Sequence, residues 1–146
     1  MHALPPLALA EENTTFRANV SSDDGEVAQS NPDTAGYLIY RDDGHMAYLR
    51  TLSVLPAFSV GDDRGGTPAE KIAAFDNFLG YCGTYDVRDN TVVHHVETPM
   101  LPNWVGTDQA RTFTLSGDVL RVVTAPFVRA GKMQTITLVF QRASRT

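Results

Sequence analysis

Polar and apolar residues alternate along most of this chain with the period of a β-strand. In the run Thr15 to Val20, the side chains of Phe16, Ala18 and Val20 share one face. Gly36-Tyr37-Leu38-Ile39-Tyr40 is rich in aromatic and β-branched residues, which suit a pleated surface. Asp42-Asp43-Gly44 reads as a tight turn, and His45 to Leu52 as the strand that returns beside it. The pattern then repeats. Tyr81 to Val87 and Thr91 to Glu97 flank the turn Arg88-Asp89-Asn90. Ala110 to Leu115 and Val119 to Ala125 flank Ser116-Gly117-Asp118. Gln134 to Arg142 closes the chain as a last apolar strand. Ser22-Asp23-Asp24-Gly25 adds a turn signal of the Asp-Gly kind, and Asn31-Pro32-Asp33 marks a loop.

One segment breaks the alternation. After a Gly/Asp loop from Val60 to Gly66, Thr67 suits an N-cap and Pro68 the first helical position. Glu70 completes a Thr-x-x-Glu capping box. Ile72, Phe75 and Leu79, with Phe78, form an apolar stripe at helical spacing, so the helix is expected to stop near Gly80. About eight short strands joined by tight turns, with one helix, predict a mainly β fold. The expected architecture is an antiparallel up-and-down barrel, whose closure removes exposed sheet edges.

Composition narrows the function more than the fold. The chain has 146 residues, enough for one domain with its own core. Residues 1–13 read as a flexible arm and 14–146 as the barrel domain. The net charge of −5, with no basic run, argues against nucleic-acid partners. No run approaches the ~18 apolar residues of a membrane span. The start lacks the basic leader of a signal peptide, so a cytoplasmic location is expected. The single cysteine, Cys82, excludes an internal disulfide and reads as a structural thiol.

Alternation also assigns faces. Val92, His94 and Val96 share one face of their strand, and His95 and Glu97 share the other. The first set is the more apolar, which places His94 inward and His95 outward. By the same rule Tyr81, Tyr85 and Val87 form one set, Arg111, Phe113 and Leu115 a second, and Leu138, Phe140 and Arg142 a third. The segment Met46/Tyr48/Arg50 stays open, because Ala47, Leu49 and Thr51 fit an inner face equally well. A mostly apolar interior with a few polar groups is what a small-molecule site requires.

The order of motifs resembles the lipocalin-like domain family of bacterial and fungal proteins. The resemblance is carried by Gly36 to Tyr40, Asp43-Gly44-His45-Met46 and Tyr81-Cys82-Gly83-Thr84-Tyr85. It continues through Val93 to Glu97, Pro102-Asn103-Trp104-Val105-Gly106-Thr107, Arg111 and Phe140-Gln141-Arg142. It runs from Thr14 to Arg142. It implies a calycin-type barrel with an internal cavity and no single function, since relatives in natural-product pathways include cyclases, isomerases and carriers. The family usually opens with Gly-x-Trp, whose Trp plugs the barrel base under an arginine of the last strand. Here Thr14-Thr15-Phe16 stands in that place, with Arg142 as the matching arginine.

Each candidate residue admits two readings. His94 is either a general acid–base or a buried, satisfied histidine. Arg111 either meets a ligand anion or snorkels to the barrel mouth. Tyr85 and Tyr81 either orient protons or pack across strands. Trp104 either lids the cavity or plugs a barrel end. His95 and Glu97 lack a third metal ligand and read as a solvated face, so neither a metal nor a cofactor is expected. The enzymatic reading is a cofactor-independent cyclase, isomerase or dehydratase acting on a polyketide- or terpenoid-like intermediate. In it His94 moves the proton, and Arg111 and Tyr85 stabilise negative charge. Trp104, Tyr81, Tyr48, Arg50, Phe113 and Phe140 then line the ligand. The rival is a non-catalytic carrier, and a third reading is a barrel with a filled core. The expected partner is a small hydrophobic substrate or ligand, and a homodimer is compatible with the chain.

Overall fold

The computed structural model describes residues 13–19, 21–23, 28–30, 34–52 and 54–143. Of the arm expected over 1–13 only Asn13 is described, and Val20, Asp24-Gly25 and the loop Asn31 to Asp33 lie outside the described residues. The described residues form twelve strands and one α-helix in chain order. The strands are β1 (Thr14–Asn19), β2 (Ser21–Asp23), β3 (Ala28–Ser30), β4 (Ala35–Tyr40), β5 (His45–Thr51) and β6 (Phe78–Arg88). Then come β7 (Thr91–Pro99), β8 (Asp108–Ser116), β9 (Val119–Thr124), β10 (Phe127–Arg129), β11 (Lys132–Gln134) and β12 (Thr137–Arg142). Helix α1 (Pro68–Asp76) separates β5 from β6.

Eight of the strands close into a barrel in the order β1-β4-β5-β6-β7-β8-β9-β12, with β12 returning to β1. Every contact is antiparallel, so this is an up-and-down meander. The expected mainly β barrel with one helix is the observed fold. Two small ribbons, β2–β3 and β10–β11, extend the connections at β1 and β9. Tight turns shape the hairpins. Asp89 and Gly117 adopt left-handed backbone angles, φ 53 and 59, which Asp and Gly tolerate better than most residues.

Side chains alternate as the strand period requires. Phe16, Leu38, Tyr40, Met46, Tyr48, Tyr81, Tyr85, Val92, Val96, Phe113, Leu120, Val122 and Phe140 all point inward and are buried. This settles the ambiguous strand: Met46 and Tyr48 face the core, while Leu49 faces out. Burying each such side chain contributes about 1.5–3 kcal/mol against chain entropy. At one end Arg142 lies over the ring of Phe16, 5.4 Å from its centroid, so phenylalanine still stacks under the expected arginine. Arg142 also pairs with Asp118 at 3.2 Å.

Two expectations need correction. The helix stops at Asp76, not near Gly80, because Phe78, Leu79 and Gly80 pair with Thr51, Arg50 and Leu49 of β5. Asn77 ends it by donating its side-chain amide to the Ala73 carbonyl at 2.8 Å. The expected apolar stripe is therefore split, and α1 buries no residue. Ile72 and Phe75 are exposed. The capping box itself is present: Thr67 Oγ1 accepts from Glu70 N, and Glu70 Oε1 accepts from Thr67 N at 2.8 Å. The second correction is at the end of the chain. Gln134 to Arg142 is not one strand, because β11 pairs with β10 and Thr135-Ile136 turns the chain back into the barrel. Thr124 holds that turn, with its Oγ1 accepting from Ile136 N at 2.9 Å.

One irregularity lies in the wall that carries His94. Cys82 pairs with Thr98 and Gly83 with Val96, so Glu97 has no opposite residue on β6. Gly83 is needed there: a Cβ at that position would sit 1.9 Å from the His95 carbonyl oxygen. Such a bulge bends and twists a strand locally.

Candidate functional site

His94 is the polar centre of the barrel interior. It stands mid-strand on β7, opposite Tyr85 of β6 and Gln109 of β8, and is 3% exposed. Both ring nitrogens are engaged. Nε2 meets the Tyr40 hydroxyl at 2.7 Å, and Nδ1 meets the Tyr81 hydroxyl at 2.6 Å. Burial pushes the His94 pKa down to about 3, and the nearby Arg111 and His95 add to the effect. The imidazole is therefore neutral, with one N–H to donate and one lone pair to accept. Burial likewise raises the Tyr40 and Tyr81 hydroxyls, so all three groups are uncharged at neutral pH.

Aromatic rings extend from this centre in both directions. Tyr85 packs edge-on to Tyr40 at 4.7 Å between centroids. Tyr81 meets Tyr48 at 5.9 Å and Trp104 at 5.6 Å. Tyr48 meets Phe140 at 5.8 Å. These separations are favourable for rings and add packing specificity. The structure thus joins His94, Tyr85, Tyr81, Tyr48, Trp104 and Phe140, all selected from the sequence, in one continuous cluster. Phe113 is buried on β8 within the same core.

The cluster divides by what its polar ends do. The Tyr85 hydroxyl donates to the Arg41 carbonyl at 2.7 Å, so it locks the turn before β5. Among the described residues the Tyr48 hydroxyl and Arg50 Nε are buried with no partner in hydrogen-bond geometry. Arg50 lies close enough to Tyr48 to favour its anion, yet burial wins and keeps that hydroxyl protonated. Arg111, opposite Val92 on β8, shares the inner face with Phe113 and is half-buried. Its Nη1 donates to the Ala110 carbonyl at 3.2 Å.

Trp104 sits in a short 3-10 turn, Pro102–Trp104, directly after β7. The loop is tied back to its strand by Val96 N to Thr107 O and Gly106 N to Val96 O, each 2.9 Å. Thr107 Oγ1 donates to the Trp104 carbonyl at 2.7 Å. The indole is half-buried against Tyr81, at the edge of the ring cluster.

Tyr40 joins the candidate site although the sequence reading did not select it. It lies 54 positions from His94, and only closure of β4 against β1 and β5 brings it inward. Its alternation with Leu38 was a usable signal. On the outer face, His95 lies between Asp108 (Nδ1, 2.7 Å) and Asp86 (Nε2, 2.7 Å), which raise its pKa. Glu97 is exposed and takes no part. No group of three His, Cys, Asp or Glu residues suited to a metal occurs among the described residues. Cys82 is free and exposed. No described helix is long and apolar enough to cross a membrane.

An open groove of about 610 Å³ lies elsewhere, between α1 and the start of β6. Its walls include Leu55, Ala74, Phe75, Phe78 and Met100. Its lining holds no titratable side chain and none of the candidate catalytic or ligand-binding residues.

A family model described as a lipocalin-like domain matches residues 17–143. The 4'-hydroxy-3'-methoxypropiophenone carrier protein ppsC of Aspergillus oryzae (strain ATCC 42149 / RIB 40) is 34% identical over 89 residues. That match covers 55% of this chain and 80% of the relative.

Proposed function

Because this chain belongs to the lipocalin-like domain family, we propose that it is a carrier that holds a small aromatic molecule against the inner ring cluster and releases it unchanged. The observation that carries this reading is the double engagement of His94. A general base must offer a nitrogen to its substrate. Here one tyrosine hydroxyl meets each ring nitrogen, and burial makes the imidazole a weak base by lowering its pKa to about 3. Such an imidazole organises donors and acceptors better than it moves protons. Tyr85, the second group of the catalytic reading, already spends its proton on a backbone carbonyl. The name of the relative points the same way: a carrier of an aromatic ketone in fungal chemistry.

The chemistry of the site fits such a guest. Trp104, Tyr81 and Tyr48 offer ring faces and edges, and Arg50, Arg111 and Tyr48 offer polar groups to an oxygen. A secondary-metabolite role, and a phenolic ketone or a related polyketide-like compound as cargo, follow from that fit.

The test uses the only tryptophan as reporter. Addition of 4'-hydroxy-3'-methoxypropiophenone is expected to quench Trp104 fluorescence saturably, with Kd on the order of micromolar. Tyr81→Phe should weaken binding. Mass spectrometry should recover the compound intact after prolonged incubation. A product whose formation stops in His94→Ala would replace the carrier with the enzyme. No saturable quenching by this compound or by other aryl ketones would remove the small-molecule reading.

A further inference from the structure

Two arginines occupy inner-face positions of this barrel with no carboxylate partner among the described residues. Arg50 and Arg111 lie on the inner faces of β5 and β8, whose strands are separated in the wall by β6 and β7. Neither forms an ion pair among the described residues, whereas Arg41 and Arg142 both do. Among the described residues no aspartate or glutamate is buried at all; the buried polar side chains are Thr14, His94 and Thr137. Among the described residues Arg111 donates to its neighbour's carbonyl, and Arg50 Nε has no acceptor in hydrogen-bond geometry, although the guanidinium lies beside the Tyr48 hydroxyl. Both residues are half-buried, and a partly desolvated guanidinium with no carboxylate beside it favours a negatively charged neighbour.

The neutral donors nearby point the same way. Tyr48 is 4% exposed as a residue, lies two positions from Arg50 on the same face, and its hydroxyl has no acceptor in hydrogen-bond geometry among the described residues. Proton counting adds Tyr81. A neutral His94 donates to one tyrosine and accepts from the other. Tyr40 is 0% exposed, and among the described residues His94 is the hydrogen-bond partner of its hydroxyl. If it accepted from Nε2, its own proton would have nowhere to go. Tyr40 therefore donates to Nε2, and Nδ1–H donates to Tyr81. The proton of Tyr81 is left over, on the side of the cluster that faces Tyr48 and Trp104.

We propose that Tyr48, Arg50 and Arg111, with Tyr81 as an added donor, form a subsite for the ionised oxygen of an aromatic acid, either a phenolate or a carboxylate. The proposal rests on the small-molecule reading above and names the charge state that reading leaves open. Both guanidiniums reach this point: each lowers the pKa of the Tyr48 and Tyr81 hydroxyls against the effect of burial. A more acidic oxygen placed among them would lose its proton, and charge-assisted hydrogen bonds to arginine would hold it. The aryl ring would then lie along Trp104 and Tyr81.

Two matched pairs of probes test this. One is a para-hydroxyphenyl alkyl ketone and its methyl ether; the other is an aromatic carboxylic acid and its methyl ester. Binding is read by Trp104 fluorescence at a pH where the free acids are ionised. At least one acid is expected to bind about tenfold or more tightly than its neutral partner, which corresponds to one good charge-assisted bond. The pair that shows the preference identifies the phenolate or the carboxylate as the oxygen. Arg50→Gln and Arg111→Gln should each reduce the preference while still binding the neutral partner, which shows that they are folded. Equal binding within both pairs would overturn the anion subsite and leave the carrier intact. If none of the probes binds, the carrier reading falls and takes the subsite with it.

Discussion

His94 turns into the barrel and His95, one residue later on the same strand, turns out of it. The inner imidazole bonds to two neutral phenols, Tyr40 and Tyr81, and burial drives its pKa down to about 3. The outer one bonds to two carboxylates, Asp86 and Asp108, and its pKa is raised. Strand geometry alone separates these environments, since successive side chains face opposite sides. The difference teaches how this wall works. Its inner surface uses neutral hydrogen bonds that low polarity makes strong and costly to leave unmade. Its outer surface uses charge, which water and salt weaken.

The largest test of this contrast removes the inner ring. His94→Ala would strand the Tyr40 and Tyr81 hydroxyls and leave a cavity, for a loss of about 3–5 kcal/mol in urea unfolding. Tyr40→Phe, which strands a single imidazole nitrogen, should cost about 1–3 kcal/mol by the same measurement. The two histidines should also respond to pH with opposite sign. Unfolding returns His94 to its ordinary value of 6.5, so the unfolded chain binds a proton that the native site refuses. Its contribution is complete above pH 6.5 and is lost as pH falls towards about 3, by at most about 1.4 kcal/mol per unit. His95 contributes fully below 6.5 and loses its contribution as pH rises through its elevated native pKa. Stability curves of His94→Asn and His95→Asn against wild type would separate the two slopes. A common sign would break the comparison. The smallest effect is His95→Ala, a loss of about 1 kcal/mol or less that added salt should shrink further, because the pair is exposed.

The parts of the fold governed by local rules were legible in the sequence. Period-2 alternation placed His94 inside and His95 outside, and the Asp- and Gly-bearing turns located the hairpins. The Thr67/Glu70 capping box began the helix where the structure begins it. The parts governed by distant partners were not. Phe78-Leu79-Gly80 fits a helical stripe and a strand equally well, and only pairing with β5 decides between them. The break at Thr135-Ile136 depends on β10, which lies upstream. At the site, alternation brought Tyr81 and Tyr85 inward together but could not tell that one hydroxyl serves His94 and the other a backbone carbonyl. Tyr40 completes the hydrogen-bonded trio from 54 residues away, a contact that exists only once the barrel has closed.

The carboxylate of Glu70 has a consequence on the time axis. Besides its capping bond it accepts Ser59 N at 2.9 Å and Ser59 Oγ at 3.1 Å. The loop and helix from Ser59 to Asp76 are thus stapled chiefly to themselves, while α1 contributes nothing to the core. A unit held by local bonds can open without the barrel opening. Deuterium should therefore replace the amide hydrogens of Lys71 and Asn77 well before those of Val96 or Phe113. The protein would show two clocks: a fast one at the helix and a slow one set by the closed ring of strands.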